Sequence, residues 1–178
     1  MIKEKDLSKI KMLVMDVDGT LTDGKIYVGD NGEVFKAFNV KDGYRLITIN
    51  KHNIIPVIIT GKTSGILLKR AAELKIEEVY QGIDDKLNIL DKVTKRYNLS
   101  YENVAYIGDD INDIDCIRAC SFTASPVDAV DEVIGMVDYV CKVKGGDGAV
   151  REFIDLILDA KTSQTKIQKP YYLENKGV

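Results

Sequence analysis

The sequence is poor in the residues from which hydrolytic triads, zinc sites and disulfide frameworks are built. It has one histidine, His52, and three cysteines, with no Cys-x-x-Cys pair and no Cys/His metal spacing. His52 stands beside Asn53 between a helical pattern and a strand, which favours a surface loop over a catalytic base. An odd, sparse cysteine count is typical of a reducing compartment, so we expect a cytoplasmic protein.

Long apolar runs and a strong charge of either sign are also absent. No stretch approaches the roughly 20 apolar residues of a membrane span. The charged N-terminus leads into a short apolar run and then acidic residues, unlike a secretory signal. A net charge of −3 and a pI near 5.3 disfavour nucleic acid and anionic membranes. We therefore expect neither a nucleic-acid nor a membrane partner.

What is present is the composition of an ordinary globular domain, 45% hydrophobic and 30% charged over 178 residues. Short apolar runs alternate with helical patterns, which predicts an α/β fold with a doubly wound, Rossmann-like parallel sheet. The predicted strands are residues 11–16, 55–60, 78–81, 104–108, 122–124 and 139–141.

One segment, residues 25–38, breaks this alternation. Two β-rich runs flank a Gly-Asp-Asn-Gly turn, which predicts a β-hairpin inserted after the first strand. No insertion is long enough to form a cap domain. We expect a single domain over residues 1–160 and a polar tail over residues 161–178.

Polar residues gather at the ends of the predicted strands. Because the carboxyl ends of parallel strands share one edge of the sheet, these side chains should converge there. Any one acidic pair alone would more often be a helix cap or a turn. Converging carboxylates repel one another, and a divalent cation with oxygen ligands, Mg²⁺ rather than zinc, relieves that cost. The residues concerned are Asp16, Asp18, Thr60, Lys86, Asp109, Asp110, Asn112 and Asp113.

Taken together, these motifs resemble the haloacid dehalogenase superfamily over roughly residues 10 to 160. Asp16-Val17-Asp18-Gly19-Thr20 matches its first motif, and Thr60 and Lys86 match the second and third. Gly108-Asp109-Asp110-x-x-Asp113 matches the fourth. The resemblance implies an Mg²⁺-dependent phosphatase of the capless subclass.

The resemblance also implies a role for each motif residue. Asp16 would attack phosphorus to form an aspartyl-phosphate, and Asp18 would act as general acid and then general base. Mg²⁺ would be held by Asp16, the backbone carbonyl of Asp18, and Asp109. Thr60 would bind a phosphoryl oxygen, and Lys86 would balance charge on Asp16 and the phosphate. Asp110 and Asp113 would not contact the substrate but would orient the residues that do.

Within the superfamily, the sequence is most similar to capless phosphatases that act on 3-deoxy-D-manno-octulosonate 8-phosphate. The likeness is carried by Leu21-Thr22-Asp23-Gly24, residues 38–43, 59–62 and 80–82, and the glycine-rich run at 145–152. It implies a homotetramer in which a neighbouring subunit roofs the site, and a role in lipopolysaccharide biosynthesis. The implied substrate-binding residues are Asn39, Val40, Lys41, Asp42, Gly43, Lys62, Arg70, Lys86, Asp109 and Asn112.

Three alternatives stay open. Lys62 stands where this subgroup usually has arginine, and a lysine lacks the planar fork that grips a carboxylate, so a nine-carbon keto-acid sugar 9-phosphate is the runner-up substrate. A phosphorylation-receiver module would share the sheet but has no use for the Asp16-x-Asp18 pair. A non-catalytic oligomerisation domain would be expected to have lost some of the carboxylates.

Overall fold

The computed structural model describes residues 5–163, so most of the predicted tail lies outside the described residues. Its centre is a six-stranded, all-parallel sheet. The strands, in spatial order, are β5 (Glu78–Tyr80), β4 (Ile55–Ile59), β1 (Met12–Met15), β6 (Val104–Ile107), β7 (Phe122–Ser125) and β8 (Tyr139–Val140). The predicted doubly wound α/β fold without a cap domain is confirmed.

The central strands are apolar on both faces, as a parallel sheet between two helical layers requires. In β1, Leu13 and Met15 belong to one core, and Met12 and Val14 to the other. The first core packs beneath helices α1 (Val40–Ile49), α2 (Gly65–Glu73) and α6 (Ala149–Ser163). The second packs beneath α3 (Lys86–Arg96), α4 (Ile114–Ala119) and α5 (Asp131–Ile134).

Several helices begin at side-chain caps, which fixes where their first residues lie. Asn39 accepts from the Lys41 backbone N–H at the start of α1, at 2.8 Å. Ser64 accepts from the Leu67 N–H at the start of α2. Asp85 accepts from the Asn88 N–H at the start of α3, which puts Lys86 in its first turn. Each cap follows a strand or the hairpin closely, so each helix begins at the carboxyl edge of the sheet.

The predicted hairpin forms a separate two-stranded sheet of β2 (Tyr27–Gly29) and β3 (Gly32–Phe35). Both strands are exposed along their whole length, and the rings of Tyr27 and Phe35 stack with centroids 4.1 Å apart. Short 3₁₀ turns cover Leu7–Lys9, Asn50–His52, Tyr101–Asn103 and Ile111–Asp113. Among the described residues, no helix has the length and apolarity to cross a bilayer.

Candidate active site

The site lies at the switch point of the sheet, where the chain order reverses across β1. Strand β1 is flanked by β4 and β6, and each of the three leads directly into an acidic or hydroxylic residue. Asp16 follows β1, Thr60 follows β4, and Gly108-Asp109 follows β6. The topology therefore brings together the strand-end residues that the sequence singled out.

In the buried part of the site, Lys86 contacts two carboxylates. Its Nζ donates to Asp16 Oδ1 and to Asp113 Oδ1, at 2.7 Å each. All three side chains are buried. Burial disfavours the charged ammonium, but attraction from Asp16 and Asp113 outweighs it and raises the pKa of Lys86. Lys86 is therefore a fixed positive charge beside Asp16.

Asp113 is held from three sides. Its Oδ1 accepts from the Tyr106 hydroxyl at 2.5 Å as well as from Lys86. Its Oδ2 accepts from the backbone N–H groups of Asp109 and Asp110, at 3.0 and 3.3 Å. Gly108 makes this approach possible, because a Cβ there would come within 2.4 Å of the Asp113 carboxyl. Asp113 thus orients both Lys86 and the loop that carries Asp109.

Asp16, Asp109 and Asp113 form a carboxylate cluster suited to a hard cation. Each contributes an oxygen, and these oxygens lie within 4.8 Å of one another. Asp109 is further fixed by the Thr20 hydroxyl, which donates to its Oδ1 at 2.8 Å. An all-oxygen set of this kind suits Mg²⁺.

The electrostatics of the cluster show the cost of gathering these charges. Burial, and then repulsion from Asp113, raises the pKa of Asp16 to about 6 despite the neighbouring Lys86. Burial also raises the pKa of Asp109 to about 7, with repulsion from Asp16 and Asp113 adding to it and the Thr20 hydrogen bond opposing it. A bound cation would favour the ionised form of both carboxyls.

The carboxylate of Asp18 lies outside this cluster. Its Oδ1 accepts a hydrogen bond from Lys36 Nζ, at the end of the hairpin. Asp18 is half-buried, whereas Asp16 is buried. The two carboxylates of the first motif therefore have separate partners, a lysine from α3 for Asp16 and a lysine from the hairpin for Asp18.

Four of the predicted substrate-binding residues line one small cavity beside the first motif: Asn39, Asp42, Gly43 and Arg70. The guanidinium of Arg70 lies close over Gly43, where a Cβ would meet its Nη2 at 2.4 Å, and 5.9 Å from the centroid of the Phe38 ring. Asp42 accepts from the Arg151 backbone N–H at 2.7 Å, and burial raises its pKa to about 6. The cavity is only about 10 Å³ and is otherwise lined by core side chains such as Leu46 and Leu74, so it is a gap beneath these residues and not a substrate pocket.

The remaining predicted substrate-binding residues lie nearer the surface. Val40 and Lys41 are exposed in the first turn of α1, and Lys41 borders a surface groove together with Arg151. Lys62 is exposed in the turn between β4 and α2. The amide of exposed Asn112 lies near Gly61, across the edge from Thr60.

The glycine-rich run at 145–148 packs against the backbone of the first motif. Gly146 donates its N–H to the Thr20 carbonyl at 3.1 Å, and a Cβ on Gly145 would lie 1.7 Å from the Gly19 carbonyl oxygen. Asn39 Nδ2 donates to the Gly146 carbonyl. The run thus joins the first motif to the start of α1.

Sequence reasoning missed three side chains that hold the site residues in place. Tyr106 reads as one more apolar position of a buried strand, and nothing in the sequence indicates that its hydroxyl meets Asp113. Thr20 was inside the first motif and could have been assigned as a donor. Lys36 stands at the end of an exposed hairpin, where a lysine side chain is normally exposed to solvent.

Comparison with known proteins identifies the family of the chain. Residues 71–154 match the haloacid dehalogenase-like hydrolase family. The chain is 42% identical over 152 residues to the 3-deoxy-D-manno-octulosonate 8-phosphate phosphatase of Salmonella typhi, covering 85% of this chain and 81% of that protein.

Two solved structures are also similar to the chain. The phosphatase of the same name from Moraxella catarrhalis, in complex with magnesium ion, phosphate ion and a KDO molecule, superimposes with a TM-score of 0.84 at 41% identity, covering 87% of this chain and 89% of the other. The cobalt-bound deoxy-D-mannose-octulosonate 8-phosphate phosphatase from Haemophilus influenzae gives 0.85 at 35% identity, covering 91% and 96%. The chain therefore belongs to the haloacid dehalogenase-like hydrolases, in the family of the 3-deoxy-D-manno-octulosonate 8-phosphate phosphatases.

Proposed function

We propose that this protein is an Mg²⁺-dependent phosphomonoesterase that hydrolyses 3-deoxy-D-manno-octulosonate 8-phosphate through an aspartyl-phosphate. The observation that carries the proposal is the buried arrangement of Asp16, Lys86 and Asp113, with Asp109 beside them. A carboxylate held by a buried lysine at a sheet edge is suited to attack an anionic phosphate, because the lysine offsets the repulsion between them.

The chemistry follows from the roles of two carboxylates. An oxygen of Asp16 attacks phosphorus, and the bond from phosphorus to the sugar oxygen breaks. Asp18 donates its proton to that oxygen, so the sugar leaves as an alcohol. The Asp18 carboxylate then takes a proton from water, whose oxygen attacks phosphorus and releases inorganic phosphate and the Asp16 carboxylate. Thr60 and Lys86 bind the phosphoryl oxygens.

The donor set fits Mg²⁺. The carboxylates of Asp16 and Asp109 and the backbone carbonyl of Asp18 would hold the ion, and Asp110 and Asp113 would support them. The raised pKa values of Asp16 and Asp109 support this assignment, because both carboxyls gain from a nearby positive charge. When bound, the ion supplies charge neutralisation between phosphate and nucleophile.

The positive charge of Arg70 supports a sugar-acid substrate. Its Nη1 pairs with Glu73 Oε2 at 3.0 Å, whereas, within the described part of the chain, its buried Nε has no hydrogen-bond partner. A guanidinium suits the carboxylate of a keto-acid sugar. Lys62 and Asn112 would contact the same substrate from the other side of the edge. Relatives named for the eight-carbon sugar acid favour it over the nine-carbon alternative.

The hairpin supports assembly into a homotetramer. It exposes an apolar surface made of Ile26, Tyr27, Val28, Val34 and Phe35. A two-stranded ribbon is marginally stable alone and gains from packing against copies of itself. The C-terminal region of a neighbouring subunit would cover the active site, which has no cap domain of its own. We further propose a cytoplasmic location, supported by three free, buried cysteines, and a step in lipopolysaccharide biosynthesis, by the family likeness.

A substrate panel tests the function. We expect the eight-carbon sugar acid phosphate to give the highest kcat/KM, above the nine-carbon acid and far above hexose phosphates, with activity lost in EDTA. Asp16→Asn should abolish turnover because an amide is a poor nucleophile, while Asp115→Asn, on the exposed face of α4, should leave it unchanged. Full activity in EDTA or in Asp16→Asn would refute the mechanism, and a preference for hexose phosphates would refute the substrate.

A further inference from the structure

An ion pair between a buried lysine and the half-buried Asp18 joins the hairpin to the first motif. The side chain of Lys36, just after β3, is only 3% exposed, and its Nζ donates to Asp18 Oδ1. The same nitrogen lies 3.1 Å from Glu33 Oε1. Burying the ammonium group of a lysine costs free energy, and a lysine in an exposed hairpin could avoid that cost by extending into solvent. The position of this ammonium therefore calls for a reason beyond packing.

The ion pair continues into the body of the domain. Glu33 Oε2 accepts a hydrogen bond from the Ser64 hydroxyl at the start of α2. Ser64 is itself fixed, since its backbone N–H donates to Gln81 Oε1 at 2.7 Å and its Oγ caps the helix. A continuous series of polar contacts thus leads from the first motif to α2, through Asp18, Lys36, Glu33 and Ser64 in that order.

We propose that Lys36 is a positioning residue that fixes the carboxyl group of Asp18 for proton transfer to the leaving oxygen. This inference rests on the proposed phosphatase function. Asp18 lies on a loop beyond the strand end, where a carboxyl is free to rotate unless a partner holds it. A general acid acts only within hydrogen-bond reach of the oxygen it protonates, so its orientation limits the rate.

The geometry of the contact suits the same role. Lys36 Nζ donates to Asp18 Oδ1 and also lies beside Glu33 Oε1, so the proton that Asp18 transfers can reside on its other carboxyl oxygen. When Asp18 gives its proton to the sugar oxygen, the carboxylate that remains keeps its ion pair. That carboxylate is the form that removes a proton from water in the second step.

The test compares two leaving groups in the full-length protein with Mg²⁺. A sugar alkoxide needs a proton to leave, whereas p-nitrophenolate does not. Lys36→Met should lower kcat/KM for the sugar acid phosphate about 100-fold, the lower part of the range that general acids contribute, and kcat/KM for p-nitrophenyl phosphate less than about threefold. The ratio kcat/KM is compared because it reports phosphoryl transfer to Asp16, whereas kcat also includes hydrolysis of the aspartyl-phosphate, which both substrates share. Lys25→Met, in an exposed pair with Asp23 beside the same hairpin, is the matched control and should change neither.

Two further variants separate positioning from folding. Lys36→Arg should recover part of the lost activity on the sugar phosphate, and Glu33→Gln should show the same selective loss, smaller in size. Thermal midpoints and light scattering check fold and assembly of each. An equal loss of kcat/KM on both substrates, or a gain in kcat/KM on the sugar phosphate, would overturn the assignment of Lys36. Failure of the wild type to hydrolyse either ester would instead overturn the proposed function.

Discussion

At the residue scale, the hydroxyl of Tyr106 is a buried support for the site. Tyr106→Phe removes its 2.5 Å hydrogen bond but leaves Asp113 bonded to Lys86 and to two backbone N–H groups. We expect the protein to fold, with a loss of about 1–2 kcal/mol in the free energy of unfolding and a lower kcat, because Lys86 is less firmly oriented. Urea unfolding and steady-state kinetics measure the two effects.

Tyr44→Phe is the control for this substitution. Tyr44 lies on α1 with 62% of its surface exposed, so losing its hydroxyl should change stability by less than about 0.5 kcal/mol. A Tyr106→Phe protein as stable and active as the wild type would contradict the support assigned to this hydroxyl.

The carboxylate cluster also predicts how stability depends on pH and Mg²⁺. The pKa values of Asp16 and Asp109 rise from 3.8 to about 6 and about 7. Between about pH 4 and 7 the folded protein therefore keeps protons that the unfolded chain has released, and raising the pH destabilises the metal-free fold through these two groups. Mg²⁺ should offset this penalty, so the rise in Tm on adding saturating Mg²⁺ should be larger at pH 8 than at pH 5.

Thermal unfolding with Mg²⁺ and with EDTA measures this difference. Asp109→Asn is the reference variant, because it lacks one of the titrating ligands and should lose most of the Mg²⁺ effect at both pH values. Equal stabilisation by Mg²⁺ at pH 5 and pH 8 in the wild type would contradict the raised pKa values.

The sequence could identify those site residues that lie directly after a predicted strand or at the start of a predicted helix. Asp16, Thr60, Lys86 and Asp109 follow apolar strands or open a helix, and topology alone brings such positions together. The partner of Asp18 could not be predicted this way. Lys36 reaches Asp18 through the angle at which the hairpin meets the domain, and no sequence period encodes that angle.

At the element scale, the glycine-rich run before α6 holds the first motif in place. Gly145→Ala would put a methyl group 1.7 Å from the Gly19 carbonyl oxygen, so one of the two backbones must move. We expect a loss of stability of about 1–3 kcal/mol, as in other overpacked sites, and a fall in kcat, because Gly19 neighbours Asp18. Chemical denaturation and kinetics measure both.

Gly65→Ala is the matched control, because a Cβ at Gly65 meets no heavy atom within 4 Å and the residue opens α2. It should leave stability unchanged or raise it by up to about 1 kcal/mol. Identical behaviour of the two alanine variants would show that the contact between the glycine-rich run and the first motif is unimportant.

Elements with a strong local signal could be predicted from the sequence. Strand β1, the hairpin turn, and the Ser64 cap of α2 all lie where apolar pattern, turn residues and capping chemistry indicate. The short helix α5 has only one buried residue, Val133, and therefore no periodicity to reveal it. Its position depends on tertiary contacts, in particular the hydrogen bond from the Val130 N–H to the Asp109 carbonyl.

At the scale of the whole molecule, the exposed face of the hairpin predicts the oligomeric state. Val28 is 72% exposed on β2, and Val28→Asp would place a charge within the apolar contact between subunits that we propose. We expect the tetramer to dissociate, with KM for the sugar acid phosphate rising because no neighbour roofs the site. Light scattering with kinetics on the same samples tests this.

Val140→Asp is the control for the assembly prediction. Val140 is 36% exposed on β8, at one edge of the central sheet, whereas the hairpin forms a separate two-stranded sheet. This variant should keep the tetramer. A wild type that elutes as a fully active monomer would contradict the proposed assembly.

The position of β1 in the sheet has a consequence for synthesis of the chain. This strand is synthesised well before its neighbour β6, with which it pairs in a register that joins Met12 to Val104. At roughly 5–20 residues per second, about 90 residues and roughly 5–20 s separate the emergence of the two partners from the ribosome. During that interval one side of an entirely apolar strand lacks its native neighbour, so the nascent chain is most prone to aggregation in the seconds before β6 appears.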